Sequence, residues 1–466
     1  MRSSDVHYMS AVDALAAYRA GEVSPVELTR AVLDQIERYN ERYNAYNLVD
    51  AERALEQARD SEQRWSRGRP LGVLDGVPVA IKDLILTRGW PTLRGSRAIE
   101  VDQPWDVDAP ITRLLRNAGA VLIGKTTTPE LGWKAVTDSP LTGVTTNPWD
   151  VTRTAGGSSG GSAVAVALGM ATLAVGTDGG GSIRIPAAFV GIVGFKPTFG
   201  RVPLWPVSPF GTLAHGGPMA RTVGDAALMM DVIAQPDSFD WQSLPENATG
   251  YWSALENGVA GLRVAFSPNL GYGNVDPEVA AAARAAAQTF AALGAHVEEV
   301  DPGFDDPLEA FTVLWYAGAA QALVPFDEAS RTRMDRGLLE IAAEGAGYSA
   351  LRYLDAVMQR GNLGVHMSRF HERFDLLLTP SVPIPAFEAG REVPTNWPYR
   401  RWPTWTPFSY PFNLTQQPAI SVPCGLTSSH LPIGLQIVGA KYKDALVLRA
   451  AHAYQGAHSF GTLRPV

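Results

Sequence analysis

The chain has 466 residues, of which 46% are hydrophobic, so it is long and apolar enough to bury a large core. Its formal net charge is −8, and dispersed charges of this sign argue against a surface for nucleic acid or anionic membranes. No run of 18 apolar residues predicts a membrane span, and the first residues lack the basic-then-apolar order of a secretory signal. The single cysteine, Cys424, excludes an internal disulfide and fits a reducing compartment, so we expect a cytoplasmic protein with a buried thiol there.

The first half of the chain alternates predicted helices and strands. Ser24 and Pro25 provide a cap and a first-turn proline for the second helix. Helical patterns cover residues 10–20, 24–40, 47–67, 108–117 and 221–234, and strand patterns cover 76–85, 120–123 and 191–198. This alternation predicts an α/β layered architecture.

A polar, irregular connection over residues 235–260 separates the two halves. Beyond it, the predicted elements are a strand at 262–268, a helix at 277–294, a strand at 296–300, a mostly helical region at 305–374, and core strands at 375–380, 419–425 and 434–439. Segment 397–412 holds seven aromatic residues broken by prolines. It is either a packed cover over the core or the aromatic wall of a substrate entrance.

Two glycine- and serine-rich clusters, 24 residues apart, dominate the middle of the chain. One centres on Ser158 in GGSSGGS, and the other on Ser182 in GTDGGGSIR. The stretch between them is small and apolar, which predicts a short buried helix followed by a strand rather than a flexible linker. The backbone N–H groups of Gly179, Gly180, Gly181 and Ser182 could bind a developing negative charge, which makes a serine beside them a candidate nucleophile.

Such a serine needs a base, and Lys82 is a candidate. Of the 39 lysines and arginines only six are lysines, and Lys82 sits in a predicted buried strand. A buried lysine can become neutral and accept a proton. The alternative is a structural lysine satisfied by carbonyls or by Asp83, although neighbouring strand residues point to opposite faces. Residue type alone leaves both alternatives open.

These motifs resemble those of the amidase signature family, hydrolases of carbon–nitrogen bonds with a Ser–cis-Ser–Lys triad. The resemblance covers GVPVAIKD, GGSSGGS and GTDGGGSIRIPAAFVGIVGFKPT, and spans roughly residues 10–235 and 375–440. It implies that Lys82 is the base, Ser158 the bridging residue after a cis Gly157–Ser158 bond, and Ser182 the nucleophile. It also implies that Asp178 and Arg184 brace the nucleophile loop. We assign Ser159 and Ser162 to hydrogen bonds within their loop.

The same resemblance implies the fold: a large mixed central β-sheet covered on both faces by α-helices, in a single domain over 1–466. Within it we expect a helical layer (1–70), the catalytic core motifs (71–235), a variable substrate-side region (236–410), and late core strands with a C-terminal helix (411–466). Neither a cofactor nor a metal is expected. Trp133, Trp205 and Phe210 are the predicted substrate-binding residues.

Two positions depart from the family pattern. Gly179 stands where larger residues are usual, which could open the oxyanion loop. Gln416 stands in NLTQQP where the family usually has a glycine. Any substrate assignment from that second loop is therefore weakened.

Three other motifs match known patterns only in their letters. GAVLIGKT at 119–126 spells a phosphate-binding loop, but its middle residues are strand-like. VAIK at 79–82 spells a kinase strand motif but has no glycine-rich loop upstream. GGSSG at 156–160 fits the nucleophile elbow of α/β-hydrolases, with Ser158 as nucleophile and a histidine base, but no apolar strand precedes it.

The sequence therefore predicts an amidase acting on linear small-molecule amides with an apolar or aryl group, with esters or carbamates as further substrates. The alternative within the family is a glutamine-hydrolysing amidotransferase subunit, which the segment TPELGWKAVTDS disfavours. No nucleic acid or membrane partner is expected, and the chain is predicted to be a monomer or a homodimer.

Overall fold

The computed structural model describes residues 3–247, 249–458 and 464–465. Its α-helices, α1 to α14 in chain order, are Ala11–Ala20, Pro25–Tyr43, Ala51–Ser66, Pro110–Asn117, Gly160–Ala167, Arg184–Val190, Val223–Ile233, Pro277–Ala292, Leu308–Ala322, Glu328–Arg331, Arg336–Ala346, Ala350–Arg373, Pro411–Leu414 and Asp444–Gly456. Its strands, β1 to β13, are Tyr46–Val49, Pro78–Lys82, Val121–Thr126, Asp138–Ser139, Gly143–Val144, Leu173–Asp178, Val193–Lys196, His215–Ala220, Arg263–Phe266, His296–Glu299, Leu376–Pro380, Ala419–Leu426 and Pro432–Gly439.

Eleven of these strands form one mixed sheet in the order β1-β3-β2-β6-β8-β7-β12-β13-β11-β9-β10. Strands β3, β2 and β6 are parallel neighbours, whereas β8, β7, β12 and β13 follow in antiparallel pairing. The carboxyl ends of β2 and β6 therefore lie side by side. Crevices at such ends are where α/β sheets place their ligands.

Both faces of the sheet are covered by helices, as predicted. Alternate strand residues belong to different apolar clusters: Val79 and Ile81 pack on one face and Ala80 on the other. Helices α4, α7, α8 and α14 cover the first face. On the opposite face α2 and α5 cover one half, and α9, α11 and α12 cover the other. This alternation follows from the two-residue period of a strand.

Most predicted elements are present, with two corrections. Ser24 caps α2 in a capping box with Glu27, as its sequence indicates. The predicted helix 47–67 is wrong at its start, because Tyr46–Val49 is the edge strand β1 and helix α3 begins only after the cap residue Asp50. Strand β8 was not predicted, because its Gly-Gly-Pro sequence is unfavourable for a strand.

Cys424 lies buried in β12, and burial raises the pKa of its thiol. Within the part of the chain that the structure describes, none of the helices combines the length and the apolar character that crossing a membrane requires.

Candidate active site

Lys82 ends β2, and its side chain reaches three hydroxyl groups. Its Nζ lies 2.6 Å from Ser158 Oγ, 2.9 Å from Ser159 Oγ and 2.8 Å from Thr177 Oγ1. Thr177 belongs to the neighbouring parallel strand β6, and the two serines immediately precede α5. The parallel pairing of β2 with β6 places Lys82 beside Thr177, and the loop before α5 brings the predicted bridging serine to the same nitrogen.

The electrostatic surroundings of Lys82 favour its neutral form. The side chain is fully buried, and burial lowers its pKa well below the ordinary value, while the charge of Asp178 acts in the opposite direction. Asp83 does not pair with it. As predicted from strand alternation, the Asp83 carboxylate faces the other side, where Lys125 Nζ lies 3.8 Å away and Asn47 donates a hydrogen bond of 2.9 Å.

Ser158 follows a cis peptide bond, as the family resemblance implies. The preceding residue must be glycine for a separate reason. A Cβ atom on Gly157 would lie 2.5 Å from the carbonyl carbon of Val136, far inside a normal contact distance. The loop and the Val136 backbone can approach each other this closely only without a side chain.

Ser182 lies in the loop between β6 and α6 and lines the same cavity as Ser158. The two serine loops are joined through the backbone, because the Ser159 N–H donates to the Ser182 carbonyl at 3.1 Å. Among the described residues no hydrogen bond links the Ser158 and Ser182 hydroxyls. Catalytic hydrogen bonds often shorten only when substrate binds.

Ser159 and Ser162 bond beyond their loop, which corrects our assignment of both to bonds within it. Ser159 Oγ donates to the Thr177 carbonyl at 3.2 Å, and Ser162 Oγ donates to the Val175 carbonyl at 3.0 Å. Both acceptors lie on β6, so these serines fix the start of α5 against the strand that leads to Ser182.

Three of the four predicted oxyanion donors are available. The N–H groups of Gly179, Gly180 and Ser182 have no acceptor among the described residues. Gly181 is a correction, because its N–H donates to Asp178 Oδ1 at 2.7 Å and so holds the loop in shape. The Gly180 carbonyl accepts a hydrogen bond from Ser409 Oγ at 2.6 Å, which fixes the neighbouring peptide.

Asp178 and Arg184 form a fully buried pair that braces this loop. Arg184 Nη2 and Nε donate to the two carboxylate oxygens at 2.9 and 3.0 Å, and Asn413 Nδ2 donates to Oδ1 at 2.8 Å. Burial alone would raise the pKa of Asp178, but the charge and hydrogen bonds of Arg184 outweigh it and hold that pKa below its ordinary value. The Asp178 carboxylate thus stays ionised at neutral pH.

Replacing Arg184 with methionine is expected to cost about 3–5 kcal/mol of stability, because the Asp178 charge would remain buried without its partner. Urea unfolding followed by circular dichroism measures this change. The exposed ion pair of Arg284 with Glu299 provides the matched control, and Arg284→Met should cost no more than about 1 kcal/mol. Equal losses for the two variants would contradict a bracing role for Arg184.

A cavity of about 790 Å³ opens above the two serines. Trp205 and Phe210, two of the three predicted substrate-binding residues, line it together with Leu131 and Trp315. Trp133 does not, which corrects the third predicted substrate-binding residue. The Trp133 indole is buried behind the wall and packs against Gly337, where an added Cβ would lie 2.7 Å from the ring. The Trp133 carbonyl accepts a hydrogen bond from Trp315 Nε1 at 3.0 Å.

Trp315, on α9, is a wall residue that was not predicted from the sequence. Its ring stacks on Phe210 with centroids 3.9 Å apart. A Cβ added to Gly179 would lie 2.8 Å from its ring. The absence of a side chain at Gly179 therefore makes room for the indole of Trp315, which lies far along the chain. Because this indole occupies the space, Gly179 does not leave the predicted oxyanion loop open.

The aromatic segment 397–412 is a packed cover and not an entrance. Trp402, Trp405, Phe408 and Phe412 are buried, and none of them lines the cavity. The other departure from the family pattern, Gln416, has a left-handed backbone conformation with φ of 63°, which favours glycine. Its side chain does not line the cavity and accepts a hydrogen bond from Lys441 Nζ at 2.8 Å.

The three lookalike motifs do not form their sites. Val121–Thr126 of GAVLIGKT is the buried strand β3, and VAIK is part of β2. Ser158 has Lys82 as its partner, whereas His215 Nδ1 lies 2.8 Å from the Leu213 carbonyl. Burial lowers the pKa of His215 well below its ordinary value. Among the described residues no group of three or more His, Cys, Asp or Glu side chains is arranged to hold a metal ion.

Comparison with known proteins gives one consistent family. The family model described as Amidase matches residues 27–448. The acylamidase of Rhodococcus erythropolis is 37% identical over 473 residues, which cover 100% of this chain and 98% of that protein. A glutamyl-tRNA(Gln) amidotransferase subunit of Myxococcus xanthus is 38% identical over 478 residues, covering 97% and 98%. The crystal structure of a bacterial aryl acylamidase of the amidase signature family has a TM-score of 0.91 at 32% identity, covering 99% of this chain and 100% of that one.

Proposed function

The chain belongs to the amidase signature family, and from that premise we propose that it hydrolyses linear amides with an apolar or aryl group through an acyl-enzyme on Ser182. The observation that carries this proposal is the contact between the Lys82 side-chain nitrogen and Ser158 Oγ in a fully buried setting. A lysine satisfied only by backbone carbonyls would be structural. This one instead faces three hydroxyls beside the cavity.

In the proposed reaction Ser182 Oγ attacks the amide carbonyl and its proton passes to Ser158 Oγ, whose own proton passes to Lys82. The N–H groups of Gly179, Gly180 and Ser182 stabilise the oxyanion. The proton then returns from Lys82 through Ser158 to the leaving nitrogen, and the C–N bond breaks. Water gives a proton to the same relay, attacks the acyl-enzyme, and releases the carboxylic acid and Ser182.

The preference for apolar or aryl substrates rests on the cavity wall. Trp205, Phe210 and Trp315 present aromatic surface to any bound group. Similarity to the acylamidase and to the aryl acylamidase supports the same substrate class. Esters and carbamates fit the same mechanism, since each is an acyl group on a leaving heteroatom.

A panel of matched acyl compounds tests the substrate class. Release of aniline from acetanilides should be detectable with the parent enzyme and should disappear with Ser182→Ala as the blank. Phenyl acetate and phenyl carbamate report the ester and carbamate activities on the same aryl group. Failure to cleave any anilide while aliphatic amides are cleaved would contradict the aryl preference.

The second candidate is glutamine hydrolysis of the amidotransferase type, favoured by the 38% identity to the Myxococcus xanthus protein. Segment 128–139 argues against it in this chain. Its Trp133 carbonyl holds Trp315 in the cavity wall, and its Lys134 is anchored by Asp335 at 2.9 Å, which together shape an aromatic pocket. Ammonia release from glutamine that an added partner protein stimulates, without any cleavage of anilides, would establish this second candidate.

A further inference from the structure

Arg94 brings a positive charge to the wall of the catalytic cavity, whose lining is mostly apolar. The side chain is partly buried. Among the described residues, its guanidinium has neither a hydrogen-bond acceptor nor a carboxylate within ion-pair distance. A cation removed from water without a partner is unfavourable, so a site of this kind gains free energy when an anion binds.

Two acidic groups around Arg94, Asp83 and Asp106, do not form an ion pair with it. Asp83 faces Lys125 and Asn47 instead, although its charge raises the pKa of Arg94 against the lowering by burial. Asp106 also lines the cavity, but its side chain is exposed to solvent and makes no ion pair with Arg94. The N–H donors of the guanidinium are therefore left without an acceptor among the residues that the structure describes.

The backbone of Arg94 is hydrogen-bonded to the segment that passes close to Ser158. The Arg94 carbonyl accepts a hydrogen bond of 2.8 Å from the Leu131 N–H. The next residue, Gly132, lies close to Ser158, because a Cβ atom added to it would be 3.5 Å from Ser158 Oγ. Arg94 itself has a left-handed conformation with φ of 54°. Non-glycine residues rarely take this conformation except where the surroundings enforce it, often at functional sites.

We propose that Arg94 binds a carboxylate carried by the substrate, so that this enzyme selects amides with an apolar or aryl body and an anionic end. The proposal rests on the amide hydrolysis proposed above. A guanidinium matches a carboxylate with two parallel N–H···O bonds, a geometry that a lysine cannot offer. Pairing also cancels the substrate's negative charge, which would otherwise favour the protonated, inactive form of Lys82.

Two matched pairs of anilides test this inference. The first pair, 4-acetamidobenzoate and 4-acetamidobenzamide, differs in charge on the amine side. The second pair, the monoanilide of succinate and its neutral amide, differs in charge on the acyl side. The parent enzyme should favour the carboxylate member of at least one pair, and Arg94→Met should lower that kcat/KM ratio about 10- to 100-fold. Arg94→Lys should restore part of it.

Arg97 is the matched control, because it is an exposed arginine on the same loop and does not line the cavity. Arg97→Met should leave the ratio unchanged. No preference for either carboxylate in the parent enzyme, an unchanged ratio in Arg94→Met, or an equal loss in Arg97→Met would each overturn the inference while leaving amide hydrolysis standing.

A binding measurement separates the inference from the proposed function. Calorimetry with Ser182→Ala should show tighter binding of the preferred carboxylate than of its neutral partner, and the added Arg94→Met change should remove about tenfold or more of that affinity. If no anilide is hydrolysed, the proposed function fails and this measurement still decides the role of Arg94. Equal binding of charged and neutral members would overturn that role.

Discussion

Ser182→Ala is expected to reduce amide turnover by about 10⁴-fold or more, because the acyl-enzyme can no longer form. The fold should survive, since the loop is held by the backbone bonds of Gly181 and Ser159 and by the Asp178–Arg184 pair, none of which uses the Ser182 hydroxyl. Hydrolysis of an anilide measures the loss, and the midpoint of thermal unfolding, unchanged within about 2 °C, checks the fold.

Labelling with a serine-reactive fluorophosphonate identifies the nucleophile directly. Mass spectrometry of the digested adduct should find the label on Ser182 and none after Ser182→Ala. A label on Ser158 instead would favour the nucleophile-elbow alternative and an esterase that is unrelated in mechanism.

Lys82→Ala is expected to lower kcat/KM by about 10²–10⁴-fold at every pH, the range for loss of a general base. Lys82→Arg should be no better, because a guanidinium stays protonated and cannot accept the Ser158 proton. In the parent enzyme, we expect the acidic limb of kcat/KM to report the protonation of Lys82 or of the coupled triad.

The direction of this limb follows from the lowered pKa of Lys82. Burial makes the neutral form of Lys82, which the proposed mechanism requires, persist below the ordinary lysine pKa range, so activity should be high at neutral to alkaline pH. It should fall as the pH drops through the depressed pKa, where Lys82 gains a proton. His215→Asn is the comparison variant. A nearly dead His215→Asn with a nearly active Lys82→Ala would show that the Ser–Ser–Lys mechanism is wrong.

The sequence was most informative where a residue lies in a short, specific motif. Lys82, Ser158 and Ser182 each lie in such a motif, and the adjacent parallel strands β2 and β6 help to bring these distant motifs together. The Gly157–Ser158 bond is cis, as the family resemblance implied.

The cavity wall was predicted less well, because its residues come from distant parts of the chain. Trp133 is close to the motifs in sequence, yet it packs behind the wall, and Trp315 comes from a helix whose position depends on tertiary packing. The sequence of a glycine run also does not show which of its N–H groups is free to face the cavity and which bonds within the loop. The bond from Gly181 to Asp178 is set by the carboxylate's orientation, which only the folded loop determines.

The contact between Gly179 and Trp315 separates the residues that shape the pocket, on α9, from the two serine loops, so each set can be substituted without the other. Gly179, whose N–H is one of the predicted oxyanion donors, carries no side chain, so the shape of the pocket at that point is set by Trp315 on α9, outside the two serine loops. We therefore expect substitutions along α9 to alter the group that the cavity accommodates while Ser158 and Ser182 keep their positions. For directed evolution, this helix is the place to diversify first, and the loop from Asp178 to Arg184 is the part to leave untouched.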